Sequence, residues 1–259
     1  MCGITGFLSH QYKYADLRRM TSALRHRGPD ADGFFYEAIQ GIALGHRRLS
    51  IIDLSEAANQ PFYSKDGRYI MVFNGEVYNF REIREDLLKE KSIVFETSGD
   101  SEVIIEALAH WGVGAVQRFN GMFAIGLWDR YEQELYLIRD RIGIKPLYYY
   151  YDGTQLAFAS ELKALLQLPL NATLDTEALQ DYLFLEYIPA PKSIIAGVKK
   201  LEKGHYLKLN STQKRFELHR YYHLLDQMGS NKASAKTEAE WSELFAERLQ
   251  PLSSVTTAT

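Results

Sequence analysis

Apolar residues recur along this chain with two periods, and each period marks a kind of element. The run at 3–8 predicts a short strand. Leu17, Met20 and Leu24 recur at helical spacing and predict a first helix, ending before the turn residues His26-Arg27-Gly28-Pro29. Aromatic and aliphatic residues over 33–44 predict paired strands. Arg68 to Phe73 predicts a buried strand that delivers Asn74-Gly75-Glu76 to a turn at its end. Helices are expected over 80–91, with Ile83 and Leu87 on one face, and over 102–111, with Asp100 as its cap. Strands at 122–128 and 135–138 flank a charged turn, and strands at 147–151 and 155–159 flank Asp152-Gly153, a strong hairpin signal. Helices at 160–166 and 176–185 and a hairpin of 206–209 with 216–221 complete the pattern. Hairpins interleaved with helices argue for an α+β fold with largely antiparallel sheets, not a doubly wound parallel sheet.

The pattern changes toward the C-terminus. Residues 227–236 are polar and read as a linker, 237–249 as one more helix with Trp241, Leu244 and Phe245 apolar, and 251–259 as a Ser/Thr-rich tail without fixed structure.

Composition narrows the class. A chain of 259 residues, 46% hydrophobic and 13% aromatic, suits one large domain or one domain with part of a second. A net charge of -3 gives no electrostatic reason for a nucleic acid or anionic membrane partner. No apolar run reaches the roughly 18 residues of a membrane span, and Ser9 to Lys13 interrupts any signal-peptide core. A soluble cytoplasmic protein is expected. One cysteine excludes an internal disulfide framework and a thiolate zinc cluster, and seven histidines show no metal spacing, so no metal is expected.

That one cysteine is Cys2, directly after Met1. If Met1 is removed, one residue carries both a thiol and a free α-amine. Their ordinary pKa values are about 8.5 and about 8, so the amine can serve as the thiol's own general base.

Cys2 does not stand alone. Met1-Cys2-Gly3-Ile4, Arg25-His26-Arg27-Gly28-Pro29-Asp30 and Asn74-Gly75-Glu76-Val77-Tyr78-Asn79 together resemble the class II glutamine amidotransferases, and most closely the glutaminase domain of glutamine-hydrolysing asparagine synthetases. Further matching stretches are 46–53, Gln60-Pro61, 98–102, 120–124, 139–149 and 159–165, in matching order.

The resemblance implies an N-terminal-nucleophile hydrolase fold, an αββα sandwich of two antiparallel sheets flanked by helices. It implies Cys2 as nucleophile toward L-glutamine, with Asn74 and Gly75 as the oxyanion hole. Arg48 would clamp the substrate α-carboxylate and Asp100 would receive its α-ammonium. Leu49, Ser50, Ile51, Ile52 and Glu76 would line the same pocket. Out of this context, Asn-Gly is an ordinary turn, Asp100 a helix cap, and Arg48 a surface residue beside Arg47. No cofactor is implied for this domain.

Asparagine synthetases continue into a second domain that uses ATP and Mg and has a Ser-Gly-Gly-x-Asp-Ser phosphate loop. No such loop occurs in residues 1–259. Residues 2–225 are therefore expected to form the glutaminase domain, and 226–259 a linker and the truncated start of a synthetase domain. A synthetase domain or subunit and a homodimer are the protein partners this reading admits. Two alternatives stay open: a stand-alone amidotransferase for another acceptor, and a non-catalytic remnant domain.

Overall fold

The computed structural model describes residues 1–50, 56–228, 240 and 242–244. Twelve strands form two six-stranded sheets, and every strand pairing is antiparallel. The first sheet has the order β10-β8-β9-β1-β3-β2, built from β1 (Gly3–Leu8), β2 (Ala31–Glu37), β3 (Ile42–Arg48), β8 (Tyr148–Tyr151), β9 (Leu156–Ala159) and β10 (Val198–Lys200). The second has the order β12-β11-β7-β6-β5-β4, built from β4 (Phe62–Tyr63), β5 (Tyr69–Val77), β6 (Gly121–Asp129), β7 (Glu134–Arg139), β11 (His205–Asn210) and β12 (Phe216–Arg220).

Strand alternation explains the layering. Side chains two residues apart share a face, so Ile4 and Leu8 of β1, Ile42 and Leu44 of β3, and Ile70 and Val72 of β5 meet Trp128, Leu135 and Leu137 between the sheets. The opposite face of β5, with Tyr69, Met71 and Phe73, packs under α2 (Phe80–Glu90) and α3 (Asp100–Trp111). The opposite face of the first sheet, with Phe7, Ala43 and Ala157, packs under α1 (Tyr14–Ser22) and α4 (Leu162–Leu165). The layers run helix, sheet, sheet, helix, as the sequence resemblance implied. The helices α5 (Thr176–Leu185) and α6 (Leu224–Met228) follow later in the chain.

Four expectations change. Asn74-Gly75-Glu76 does not turn: β5 runs on to Val77, because Gly121, Met122, Phe123 and Ala124 of β6 pair with it. Gly99, not Asp100, is the N-cap of α3; Asp100 is its first helical residue. Ser160 and Glu161 precede α4 instead of opening it, and Glu161 is extended at φ -139°. The linker expected from Gln227 starts later, since Gln227 and Met228 close α6. The rest of that linker, most of the helix expected over 237–249 and the tail lie outside the described residues. Among the described residues no helix is long and apolar enough to cross a membrane.

Candidate active site

At one end of the sandwich the inward-facing positions change from apolar to polar. On β3 they run Ile42, Leu44, His46, Arg48; on β5, Ile70, Val72, Asn74, Glu76; on β1, Leu8 back through Ile4 to Cys2. Antiparallel pairing sets Ile4 opposite His46 and Gly3 opposite Arg47. Cys2 therefore emerges beside Arg48. A cleft of about 330 Å³ opens there, within the range of small-ligand sites. Cys2, Arg48, Leu49, Asn74, Gly75, Glu76 and Asp100 all line it. Ser50 does not; its backbone N–H goes to the Asp30 carboxylate at 2.8 Å. Ile51 and Ile52 lie outside the described residues.

The Cys2 thiol is half-buried. Leu49 N–H donates to its Sγ at 3.4 Å, and the thiol reaches the Leu49 carbonyl at 3.7 Å. Burial pushes the thiol up from its ordinary pKa, against the Leu49 N–H, the N-terminal ammonium, Arg48 and Lys145, which pull it down. The thiol is thus not ionised in advance and needs a base. His46 lines the cleft but is a poor one. Burial lowers its pKa to about 3, and its Nε2 donates to the Phe73 carbonyl at 3.2 Å.

The Asn74-Gly75 pair expected in a turn instead lies on a strand edge. Asn74 is buried at 1% exposure, and its Nδ2 has no hydrogen-bond partner among the described residues. A buried unpaired donor carries a cost in a folded chain, which an oxyanion in the cleft would remove. Alternate N–H groups of β5 face away from β6. The Phe73 N–H meets Gln60 Oε1 at 2.6 Å and the Val77 N–H meets Asp100 Oδ2 at 2.9 Å. Gly75 lies between them on that edge, past the point where β4 pairs with Ile70 and Met71. By the same alternation its N–H faces away from β6. Glycine is required here for close approach to β6: a Cβ would stand 2.2 Å from the Met122 carbonyl oxygen.

Charged groups occupy the rest of the wall. Arg48 is buried at 8% exposure, with Nη1 donating to Asn59 Oδ1 at 2.8 Å. Asp100 is buried, and burial raises its carboxyl to about 7, despite the Val77 N–H, with Glu76 adding to the rise. A carboxyl in that state would ionise on meeting a cation.

Lys145 was missed by the sequence reading, although its motif was recognised. It is buried and lines the cleft. Asp140 holds its loop by accepting backbone N–H groups from Ile142, Gly143 and Ile144 on Oδ1 and from Phe123 and Lys145 on Oδ2. A lysine in an otherwise apolar Ile-Gly-Ile-Lys-Pro-Leu run was the available signal. Among the described residues no group of three or more His, Cys, Asp or Glu is placed to hold a metal ion.

Residues 1–222 match the family model for the glutamine amidotransferase domain. The chain is 40% identical over 210 residues to asparagine synthetase [glutamine-hydrolyzing] 1 of Bacillus subtilis, covering 79% of this chain and 33% of that one. It is 34% identical over 237 residues to the amidase chry2 of Gibberella zeae, covering 86% of this chain and 34% of that one. The chain spans between a third and a half of the length of such curated relatives. Among solved structures, the glutamine phosphoribosylpyrophosphate amidotransferase of B. subtilis shares the fold, with a TM-score of 0.58 at 19% identity over 85% of this chain and 49% of that one. The allosteric regulatory enzyme of purine biosynthesis does too, at 0.63 and 18%, over the same shares. This chain belongs to the class II glutamine amidotransferases.

Proposed function

We propose that this amidotransferase hydrolyses L-glutamine through Cys2, in a glutaminase unit of residues 2–225, and that its ammonia serves asparagine formation. One observation carries the first part. The only thiol in the chain shares a cleft with Asn74, whose Nδ2 has no partner among the described residues, and with Gly75, whose N–H faces away from β6. With Met1 removed, the α-amine takes the thiol proton as Sγ attacks the carboxamide carbon. The new S–C bond sends the carbonyl electron pair onto oxygen, where Asn74 and Gly75 stabilise it. Collapse breaks the C–N bond, and the ammonium returns its proton to the leaving ammonia. Water, deprotonated by the same amine, then cleaves the γ-glutamyl thioester to glutamate. At the other end of the substrate, Arg48 receives the α-carboxylate and Asp100 the α-ammonium.

The acceptor is inferred from relatives named asparagine synthetase. The amidase relative is the reason to keep a second acceptor chemistry in view. Incubating residues 1–259 with labelled glutamine, aspartate and Mg-ATP should give glutamate and free ammonia but no asparagine, because the sequence holds no Ser-Gly-Gly-x-Asp-Ser phosphate loop. Folded protein that begins at Cys2 and makes no glutamate would favour a non-catalytic domain. Labelled asparagine with stoichiometric AMP would overturn the assignment of synthesis to a further domain.

Asp100 gives a pH signature. Its carboxyl, raised to about 7, is protonated below that pH and cannot pair as an anion with the substrate ammonium. The value of kcat/KM, which reports the free enzyme, should therefore fall as pH drops through about 7, mostly as a rising KM. Asp100→Asn keeps an oxygen for the Val77 N–H but removes the charge. It should raise KM by roughly 10- to 100-fold, the loss of one charge-assisted hydrogen bond, and abolish that acid limb in KM. An acid limb unchanged in the variant would assign the titration to another group.

A further inference from the structure

Two residues at the end of β9 hold the start of β1, and neither lines the cleft. Ser160 is fully buried. Its backbone N–H donates to the Ile4 carbonyl at 2.9 Å, and its Oγ accepts the Ile4 N–H at 3.0 Å. One residue thus fixes both backbone groups of Ile4. Glu161 follows. Its Oε1 accepts from Arg27 Nη1 at 2.9 Å, and Arg27 Nε donates to the carbonyl of Cys2 itself at 2.8 Å. His26 Nε2 stands 3.0 Å from the same Glu161 oxygen, and Lys163 Nζ 3.3 Å from the other. Burial works to raise the Glu161 carboxyl, but Arg27, His26 and Lys163 hold it at about 2, so it stays ionised throughout the neutral range. The loop bearing Arg27 has no slack: a Cβ on Gly28 would stand 2.5 Å from the Arg47 carbonyl carbon.

We propose that Glu161 is a positioning residue for Cys2, acting through Arg27 on the Cys2 carbonyl while Ser160 fixes the adjoining Ile4. The proposal rests on the reading of Cys2 as nucleophile. Its physical basis is the chain end. Once Met1 is gone, Cys2 is tethered on one side only, and chain ends fray unless tied down. A nucleophile misplaced by an ångström loses much of its rate. The carbonyl clamp replaces the restraint that a preceding residue would supply, and it keeps Sγ against the Leu49 N–H.

The test uses the whole chain with Glu161→Ala, Glu161→Asp, Arg27→Ala and the Glu161→Ala/Arg27→Ala double variant. Glutamine kinetics, melting temperature and the pH dependence of Cys2 alkylation by iodoacetamide are measured for each. Glu161→Ala should lower kcat by roughly 10- to 100-fold with KM held within about twofold. Its melting temperature should fall, since Glu161→Ala strands the nearly buried Arg27 guanidinium, so the kinetics are compared at a temperature where every variant is folded. Glu161→Asp should recover part of the rate. The double variant should be no slower than Arg27→Ala, because both residues act along one line. Released from its half-buried seat against Leu49, the thiol should alkylate along a profile shifted to lower pH, because burial is the largest influence holding it up. Wild-type kcat in Glu161→Ala, a loss appearing in KM, additive losses in the double variant, or an unshifted alkylation profile would each overturn the proposal. A wild-type chain inert to glutamine would sink the glutaminase reading, and the alkylation profile would still decide the clamp.

Discussion

Replacing Cys2 with alanine is expected to abolish glutamine hydrolysis in a protein that still folds. No other thiol exists in the chain to replace it. His46, with a pKa of about 3, is not a substitute base for a water attack. The fold should survive because the sulfur's hydrogen bonds among the described residues are two long ones with the Leu49 backbone, at 3.4 and 3.7 Å. The backbone of Cys2 stays bonded to Arg27 without the side chain. Turnover should fall to what the oxyanion donors and binding alone sustain, a loss on the order of 10⁴-fold or more by analogy with other nucleophile deletions. A glutamine analogue with an electrophilic ketone should label wild type at Cys2 and leave the variant unlabelled. Intact mass should show active protein beginning at Cys2, since a retained Met1 ties the α-amine into an amide. Residual wild-type turnover, labelling elsewhere, or full activity with Met1 in place would remove Cys2 from its role.

The second large effect separates the two ends of the substrate. Asn74→Ala should lower kcat by roughly 10²–10³, the usual cost of one oxyanion donor, with a small change in KM. The loss belongs to the transition state because the oxygen gains its charge only there. Stability should change little, since Nδ2 has no partner among the described residues. Arg48→Ala should instead mainly raise KM, because the α-carboxylate keeps its charge throughout the reaction. Steady-state kinetics of the two variants decide the matter. The reverse pattern would exchange the two ends of the bound glutamine.

Local pattern alone carried much of the fold. Continuous apolar runs marked β1, β5, β6 and β7, and Thr176–Leu185 is helical over the span its spacing predicts. These succeed because apolar runs and helical spacing are properties of neighbouring residues. The short strands β4 and β10 escaped notice because two or three residues hold too little pattern to read.

The sequence by itself determined the chemistry available: one thiol at position 2, an Asn-Gly pair, and the order of motifs that identifies the family. Strand alternation also puts Cys2, Arg48 and Asn74 on the faces of Ile4, Leu44 and Val72, but since these strands are apolar on both faces, packing decided which face meets the other sheet. The tertiary structure alone decided what those groups do next to one another. Asn74-Gly75 is strand and not turn because β6 supplies partners from Phe123 and Ala124, a pairing no local window contains. Asp100 gives its carboxylate to Val77 instead of capping its helix because the end of β5 lies beside it. Burial, which depends on the whole packed chain, raises Asp100 and silences His46. Glu161 reaches the nucleophile through Arg27 across 134 residues of sequence. Side-chain type and period are local; partners, burial and the charge states they impose arise only when distant segments are brought together.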